Sequence, residues 1–334
     1  MALRGFISIM MKIKGQELDI NYYEELEPYL DKFERMQIRG EELTACSPLR
    51  DERRPSFSIN LSTGLWIDRG GEGINSRGNI VSLLAHLRQE TYGETADYLL
   101  EVYGHILDNA DGLALDLQLE LEPAEVTLLA QEKYENRINK PSEYLKSRKI
   151  DIETQKLFNT GLSEKGDAIC LPWHDWQGRI INMKYRSIKN KDFWYSSGGQ
   201  PVKKHLYGLF LVIDLHRKQR KQEVSLSPVY LVESEIDALY LWSIGIPAVA
   251  FGGSSISEQQ QELLTGKLSD CELILATDND KVGKKFREVL AKELGGYFIV
   301  KELEIPEGYK DVNELEPDIL QKLSTKHIRF LMKL

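Results

Sequence analysis

From Pro228 onward the chain alternates short, continuously apolar runs with amphipathic ones. Residues 229–232, 248–251, 273–276 and 297–300 read as strands, and 236–244, 257–268 and 284–294 read as helices. Strands without polar alternation are apolar on both faces, which predicts a parallel sheet covered by helices on each side. Ligands of such open α/β sheets bind at the carboxyl ends of the strands. Acidic residues stand at those ends. Glu233 follows the first strand with Asp237 one helical turn later, Asp278 and Asp280 follow the third, and Asp311 lies in the loop after the fourth.

Gathering five carboxylates on one edge is costly unless cations neutralise them, and all-oxygen ligation favours Mg²⁺ or Mn²⁺. Such ions bridge phosphates and hold attacking and leaving oxygens in line. The candidate catalytic residues are therefore Glu233, Asp278 and Asp280. The candidate metal ligands are Glu233, Asp237, Asp278, Asp280 and Asp311.

Charge is distributed unevenly over the 334 residues. The overall balance of −9 argues against a polyanionic partner, because phosphate binding needs concentrated Lys and Arg. Residues 131–225, however, carry 19 basic and 11 acidic side chains, against 12 and 23 in residues 1–130 and 12 and 18 in residues 226–334. A basic island thus sits between acidic flanks. Three widely separated cysteines, Cys46, Cys170 and Cys271, build neither a disulfide framework nor a cysteine-rich zinc site, and they suit a reducing cytoplasm. The apolar stretch 6–11 is too short to enter a membrane.

Upstream, the spacing of Leu18, Ile20, Tyr22, Tyr23, Leu26, Tyr29, Leu30 and Phe33 predicts a helix within 16–40, with Asn21 as a possible N-cap. Residues 55–59 and 65–67 read as a hairpin, Asn79 caps a helix, and Thr91 opens another that ends near Tyr103. The acidic stretch 108–130 reads as a linker. Beyond it come a helix with Pro141 at its first position, a second over 152–158, and strands over 168–172 and 179–183.

The motifs LVESEIDAL at 231–239, FGGS at 251–254, TDNDKVG at 277–283 and KDVNEL at 310–315 together resemble the Toprim domain of bacterial-type DNA primases and bacteriophage helicase-primases. YLKSRKI at 144–150, FNTGL at 158–162, LPW at 171–173, QGRIIN at 177–182, KYR at 184–186 and KHLYGL at 204–209 resemble the N-terminal half of the primase catalytic core. Toprim domains also serve topoisomerases and some nucleases, and it is this companion segment that points to primase. The resemblance implies a surface for template and nucleoside triphosphate made by Lys184, Arg186, Lys203 and Lys204, with which Lys191 and Lys281 are grouped. Tyr185, Phe193, Trp194 and Tyr195 lie near enough in sequence to stack on bases.

SPLR at 47–50, RPSFS at 54–58, GLWID at 64–68 and RGNIV at 77–81 are similar to the zinc-binding domain that opens these primases. Aligned on Pro55, Ser56 and Phe57, the four metal-ligand positions fall on Ser47, Arg50, Asp68 and Gly71, and a tetrahedral zinc needs four N/S ligands. No zinc is expected.

The fold class that follows is mixed α/β and α+β. Its parts are a helical segment with a degenerate zinc-ribbon-like domain over 1–107, a linker over 108–130, a basic α+β subdomain of the primase core over 131–227, a parallel-sheet Toprim domain over 228–315, and C-terminal helices over 316–334. The resemblance implies a DNA primase, a nucleotidyltransferase making short RNA primers on single-stranded DNA with Mg²⁺ or Mn²⁺, in the cytoplasm of a bacterial or phage-infected cell. No P-loop is present, so the implied replicative helicase partner is a separate protein, and no membrane partner is expected. The alternatives are a primase-derived protein that binds single strands or a replisome with little catalysis, and a metal-dependent Toprim nuclease.

Overall fold

A computed structural model describes residues 9–71, 76–104, 141–190 and 192–328. The chain divides into two compact units, Met1–Val126 and Thr127–Leu334. The acidic stretch 108–130 and Lys191 lie outside the described residues.

The first described elements are an antiparallel hairpin, β1 (Ile9–Ile13) and β2 (Gln16–Ile20), whose second strand falls where the spacing predicted helix. Lys14 and Gly15, both at positive φ (47° and 92°), form its two-residue turn. Leu18 and Ile20 are two apart, so the strand places both on one face, where both are fully buried. Helix begins only at α1 (Tyr22–Leu26), whose N-cap is Asn21 as expected, and it runs into a 3₁₀ turn at Glu27–Lys32. An antiparallel sheet follows in sequential order: β3 (Gln37–Arg39), β4 (Glu42–Ala45), β5 (Phe57–Asn60), β6 (Trp66–Asp68) and β7 (Arg77–Gly78). Phe57 and Trp66, from the predicted hairpin, stack at 5.7 Å in its core. Asn79 and Ser82 form a capping box on α2 (Ile80–Arg88), and α3 (Tyr92–Gly104) is the last described element of the unit.

In the second unit, α4 (Glu143–Ser147) is capped by Ser142 rather than begun by Pro141, which stands one residue outside. Asp151 caps α5 (Ile152–Leu157). An antiparallel sheet of order β11-β10-β9-β8 comes next, from β8 (Gly161–Leu162), β9 (Ala168–His174), β10 (Ile180–Ser187) and β11 (Phe193–Tyr195). Helix α6 (Leu209–Lys221) leads to the alternating region.

That region is β12 (Val229–Val232), α7 (Glu235–Ser243), β13 (Ala248–Ala250), α8 (Glu258–Lys267), β14 (Glu272–Leu275), α9 (Lys281–Leu294) and β15 (Ile299–Leu303). The four strands are parallel in the order β13-β12-β14-β15. The last strand begins two residues later than expected, leaving Tyr297 exposed. The C-terminal stretch is not purely helical. After the single turn α10 (Pro317–Leu320), β16 (Thr325–His327) adds an antiparallel edge strand to β15. Residues 329–334 lie outside the described residues.

Both faces of the parallel sheet are covered. On one, Val232, Leu239 and Tyr240 share a core with Leu171, Trp173 and Tyr207 of the antiparallel subdomain. On the other, Leu231, Val249 and Leu275 pack with Leu264, Phe286 and Leu290. No helix among the described residues is long and apolar enough to cross a membrane.

Candidate active site at the carboxyl edge of the parallel sheet

Strands β12 and β14 are hydrogen-bonded neighbours, so the loops that leave their carboxyl ends lie side by side. Glu233 leaves β12, and its Oε1 accepts from the Asp278 backbone N–H at 3.0 Å. Ser234 caps α7, and its hydroxyl also donates to Asp237 Oδ2 at 2.6 Å. Asp280 caps α9 by accepting from Gly283 N–H at 2.8 Å. Asp311 caps a 3₁₀ turn by accepting from Glu314 N–H at 3.0 Å. The Asn279 N–H donates to Lys310 O at 2.6 Å, which ties the Asp311 loop to the Asp278 loop.

The electrostatics follow from this crowding. Asp237 is buried, and burial, followed by the charges of Asp311 and Asp278, pushes its carboxyl far above the usual range. Asp278 is raised as well. Burial is the largest cause, opposed by Lys310 and reinforced by Asp280 and Asp311. Lys310 Nζ lies 2.9 Å from Asp278 Oδ2; its side chain is 55% exposed, and the charges of Asp278, Asp280 and Asp311 outweigh partial desolvation and push its pKa up.

Thus Asp237, Asp278, Asp280 and Asp311 act on one another, and Glu233 braces the backbone of Asp278. The donor set suits a hard divalent cation: every group offers carboxylate oxygen, and one lysine does not offset the charge. As they stand, no three His, Cys, Asp or Glu side chains among the described residues are arranged to hold an ion together.

Two residues at this edge were not singled out from sequence. Lys310 stands in the quoted motif KDVNEL, where a cation directly before Asp311 was the available signal. Gly283 has no room for a side chain: a Cβ would lie 2.2 Å from Asp278 O and 2.7 Å from Glu233 Oε1. The glycine lets α9 start hard against the acidic loop.

The basic residues are not a single surface. Lys184 is 1% exposed, on the inner face of β10. Its Nζ lies 3.1 Å from Glu235 Oε1 and 3.2 Å from Oε2, and Trp173 Nε1 donates to Oε1 of the same carboxylate at 3.0 Å. It is a buried ion pair between the antiparallel sheet and α7, not a side chain open to phosphate. Lys203 is also buried, and its Nζ donates to Ser255 O at 3.1 Å and to Ser255 Oγ at 2.9 Å. Arg186 is half-buried, while Lys204 and Lys281 are exposed. Tyr185 and Trp194 stack at 5.6 Å with ring planes 8° apart, and Trp194 is 41% exposed.

Comparison with known proteins shows what the chain is similar to. Residues 230–316 match the model of a Toprim-like domain. The chain is 24% identical over 354 residues to a DNA primase of Synechococcus elongatus, covering 89% of this chain and 49% of that protein. It is 23% identical over 311 residues to a DNA primase of Helicobacter pylori, covering 79% and 53%. The chain thus spans about half the length of these relatives. Among solved structures, the zinc-binding and RNA polymerase domains of the Aquifex aeolicus primase align over 92% of this chain and 84% of that one, at 18% identity and a TM-score of 0.46. The family model and the curated relatives give the likeness to bacterial DNA primases with a Toprim core that the motifs led us to expect.

Proposed function

We propose that this chain is a DNA primase, joining ribonucleotides on a single-stranded DNA template with release of pyrophosphate. The observation that carries the reading is the convergence of Asp237, Asp278 and Asp311 at the carboxyl edge of a Toprim-like sheet, beside the brace from Glu233 to Asp278. Asp278, Asp280 and Asp311, with Glu233 and Asp237, would hold Mg²⁺ or Mn²⁺. Such an ion, when bound, offsets charge on the triphosphate and lowers the pKa of the attacking hydroxyl.

The chain's own residues supply the rest. Glu233 holds the Asp278 loop through the backbone N–H, which fixes the backbone from which the carboxylate is presented. Lys310, beside Asp278, is placed to meet negative charge at the triphosphate. Exposed Lys204 and Lys281 attract template and nucleotide, while Arg186 and the stacked Tyr185 and Trp194 offer guanidinium and ring faces to bases. Lys191 is proposed for the same role from sequence alone. Buried Lys184 and Lys203 contribute by holding elements together.

The setting proposed is the cytoplasm of a bacterium or a phage-infected cell, with a replicative helicase as partner. A second reading, a single-strand or replisome binder with little catalysis, is favoured by the pairing of Asp278 with Lys310, which already offsets one carboxylate.

The test is a priming reaction with single-stranded DNA of varied sequence, four ribonucleotides and Mg²⁺ or Mn²⁺. Short RNA that disappears in Asp278→Ala supports the proposal. Retained single-strand binding with no product under either metal selects the second reading, and metal-dependent cutting of DNA without nucleotides selects a nuclease.

A further inference from the structure

Side chains hold the loop that presents Asp278 from more than one direction: Glu233 bonds its N–H and Lys310 its carboxylate. A further hold comes from Arg287, on α9 and seven residues beyond the cap Asp280. Arg287 Nη2 donates to Thr277 O at 3.1 Å and, at a longer 3.4 Å, to Asp278 O. Its Nε donates to Thr277 Oγ1 at 3.2 Å. Thr277 is fully buried, and its hydroxyl passes the contact on by donating to Gly283 O at 2.8 Å.

We propose that Arg287 is a positioning residue for Asp278, setting the carboxylate's direction and hence the affinity of the acidic edge for a divalent cation. This rests on the reading of that edge as a metal site. The two carbonyls and one hydroxyl that Arg287 engages belong to the two consecutive residues that carry Asp278 out of β14. With those oxygens anchored, rotation of the Thr277–Asp278 peptide is opposed, which fixes where the Asp278 Cα–Cβ bond points and so the arc its carboxylate can reach. A guanidinium suits the task because its donors form a rigid planar fork and it stays charged, whereas an ammonium is a compact point charge. Groups that hydrogen-bond metal-bearing residues from behind tune affinity by roughly 10–100-fold.

A plain structural clamp would give the same hydrogen bonds, and the molecule contains a control for it. Arg220 Nη2 donates to Ser269 O and Oγ, both at 3.0 Å, just before the amino end of β14 and at the opposite edge of the sheet. The experiment measures Mn²⁺ binding to the full chain by electron paramagnetic resonance, together with single-stranded DNA affinity and thermal unfolding. The proteins are wild type, Arg287→Met, Arg287→Lys, Arg287→Ala, Arg220→Met and Asp278→Ala.

Arg287→Met is expected to weaken Mn²⁺ binding by roughly tenfold or more, with DNA affinity unchanged. Arg287→Lys should fall between it and wild type, and Arg220→Met should bind Mn²⁺ as wild type does. Methylguanidinium should restore Mn²⁺ binding to Arg287→Ala. Wild-type Mn²⁺ affinity in folded Arg287→Met or Arg287→Lys, or equal weakening in Arg220→Met, overturns the proposal. If Asp278→Ala binds Mn²⁺ as wild type does, the metal-site reading itself falls and the role of Arg287 falls with it.

Discussion

Arg50 and Asp68 face each other fork to fork, Nε to Oδ2 at 3.1 Å and Nη2 to Oδ1 at 2.9 Å, on two of the four positions where alignment on Pro55, Ser56 and Phe57 sets the metal ligands of the zinc-binding domain that this segment resembles. Ser47, at a third of those positions, is near enough to Asp68 to help lower its pKa. Ser56 Oγ and Gly70 N–H each reach Asp68 Oδ1 at 3.0 Å, and Glu52 pairs with Arg50. An ion-pair network thus joins the segments that a zinc would join.

Asp68→Ala leaves Arg50 without its main partner in a site where the Asp68 side chain is fully buried. Removing one member of a buried pair costs about 3–5 kcal/mol. Partial exposure of Arg50 puts the expectation near the lower end, about 3 kcal/mol, read by urea denaturation. A zinc chelator should leave the wild-type transition unchanged. A transition lowered by chelation would show that metal, not this network, joins the segments.

The same network sets an acid limit. Burial pushes the Asp68 carboxyl up, but Arg50, Ser47, the Gly70 N–H and Ser56 outweigh it, so the folded pKa lies below the ordinary value. A depressed carboxylate pKa stabilises the fold above the unfolded pKa near 4, and that stability is lost as pH falls through the folded pKa. Unfolding midpoints of wild type and Asp68→Asn should therefore converge as pH drops below about 4. A constant gap down to the lowest pH at which both proteins fold would contradict this.

Asp237 has the opposite sign. Its folded pKa is raised, so between the ordinary carboxylate value and the raised one the native state binds more protons than the unfolded chain, and stability falls as pH rises. Without divalent ions, Asp237→Asn should be more stable than wild type at the alkaline end of that window. Mg²⁺ should stabilise wild type more as pH rises, with proton release on binding. Thermal-shift series with and without Mg²⁺ measure both, and parallel pH profiles for the two proteins would refute the assignment.

Lys184→Met strands Glu235 in the core, and the single change should cost about 3–5 kcal/mol. Lys184→Met with Glu235→Gln keeps an acceptor for Trp173 Nε1 and should recover about 2 kcal/mol of that loss, within the usual range for neighbouring side chains. A double-mutant cycle in urea gives the coupling. Strict additivity would mean that the pair contributes nothing.

For the exposed cations the readout is salt. Changing Lys204 or Lys281 to Gln should lower the slope of log affinity against log salt on single-stranded DNA by about 0.7 for each phosphate no longer neutralised. Lys184→Met, where folded, should leave that slope unchanged. Reversal of this order would place Lys184 at the strand after all.

Sequence by itself determined the βα alternation and the position of an acid at the ends of β12 and β14, because strand length, apolar continuity and strand ends are local properties. It misled at Leu18 and Ile20, where two positive-φ residues in the turn, Lys14 and Gly15, override a spacing that also suits a helix. It misled again at the C-terminal edge, where β16 exists only because β15 offers backbone groups to pair with. Tertiary structure alone decided what each charge does. Lys184 and Lys204 are equally basic in the sequence, yet one is closed into the core by Glu235, 51 residues away, and the other faces water. Arg50 and Asp68, 18 residues apart, become a pair only when the sheet folds. A charge takes its role from the partner and the solvent that folding assigns it, and neither is written at its own position in the chain.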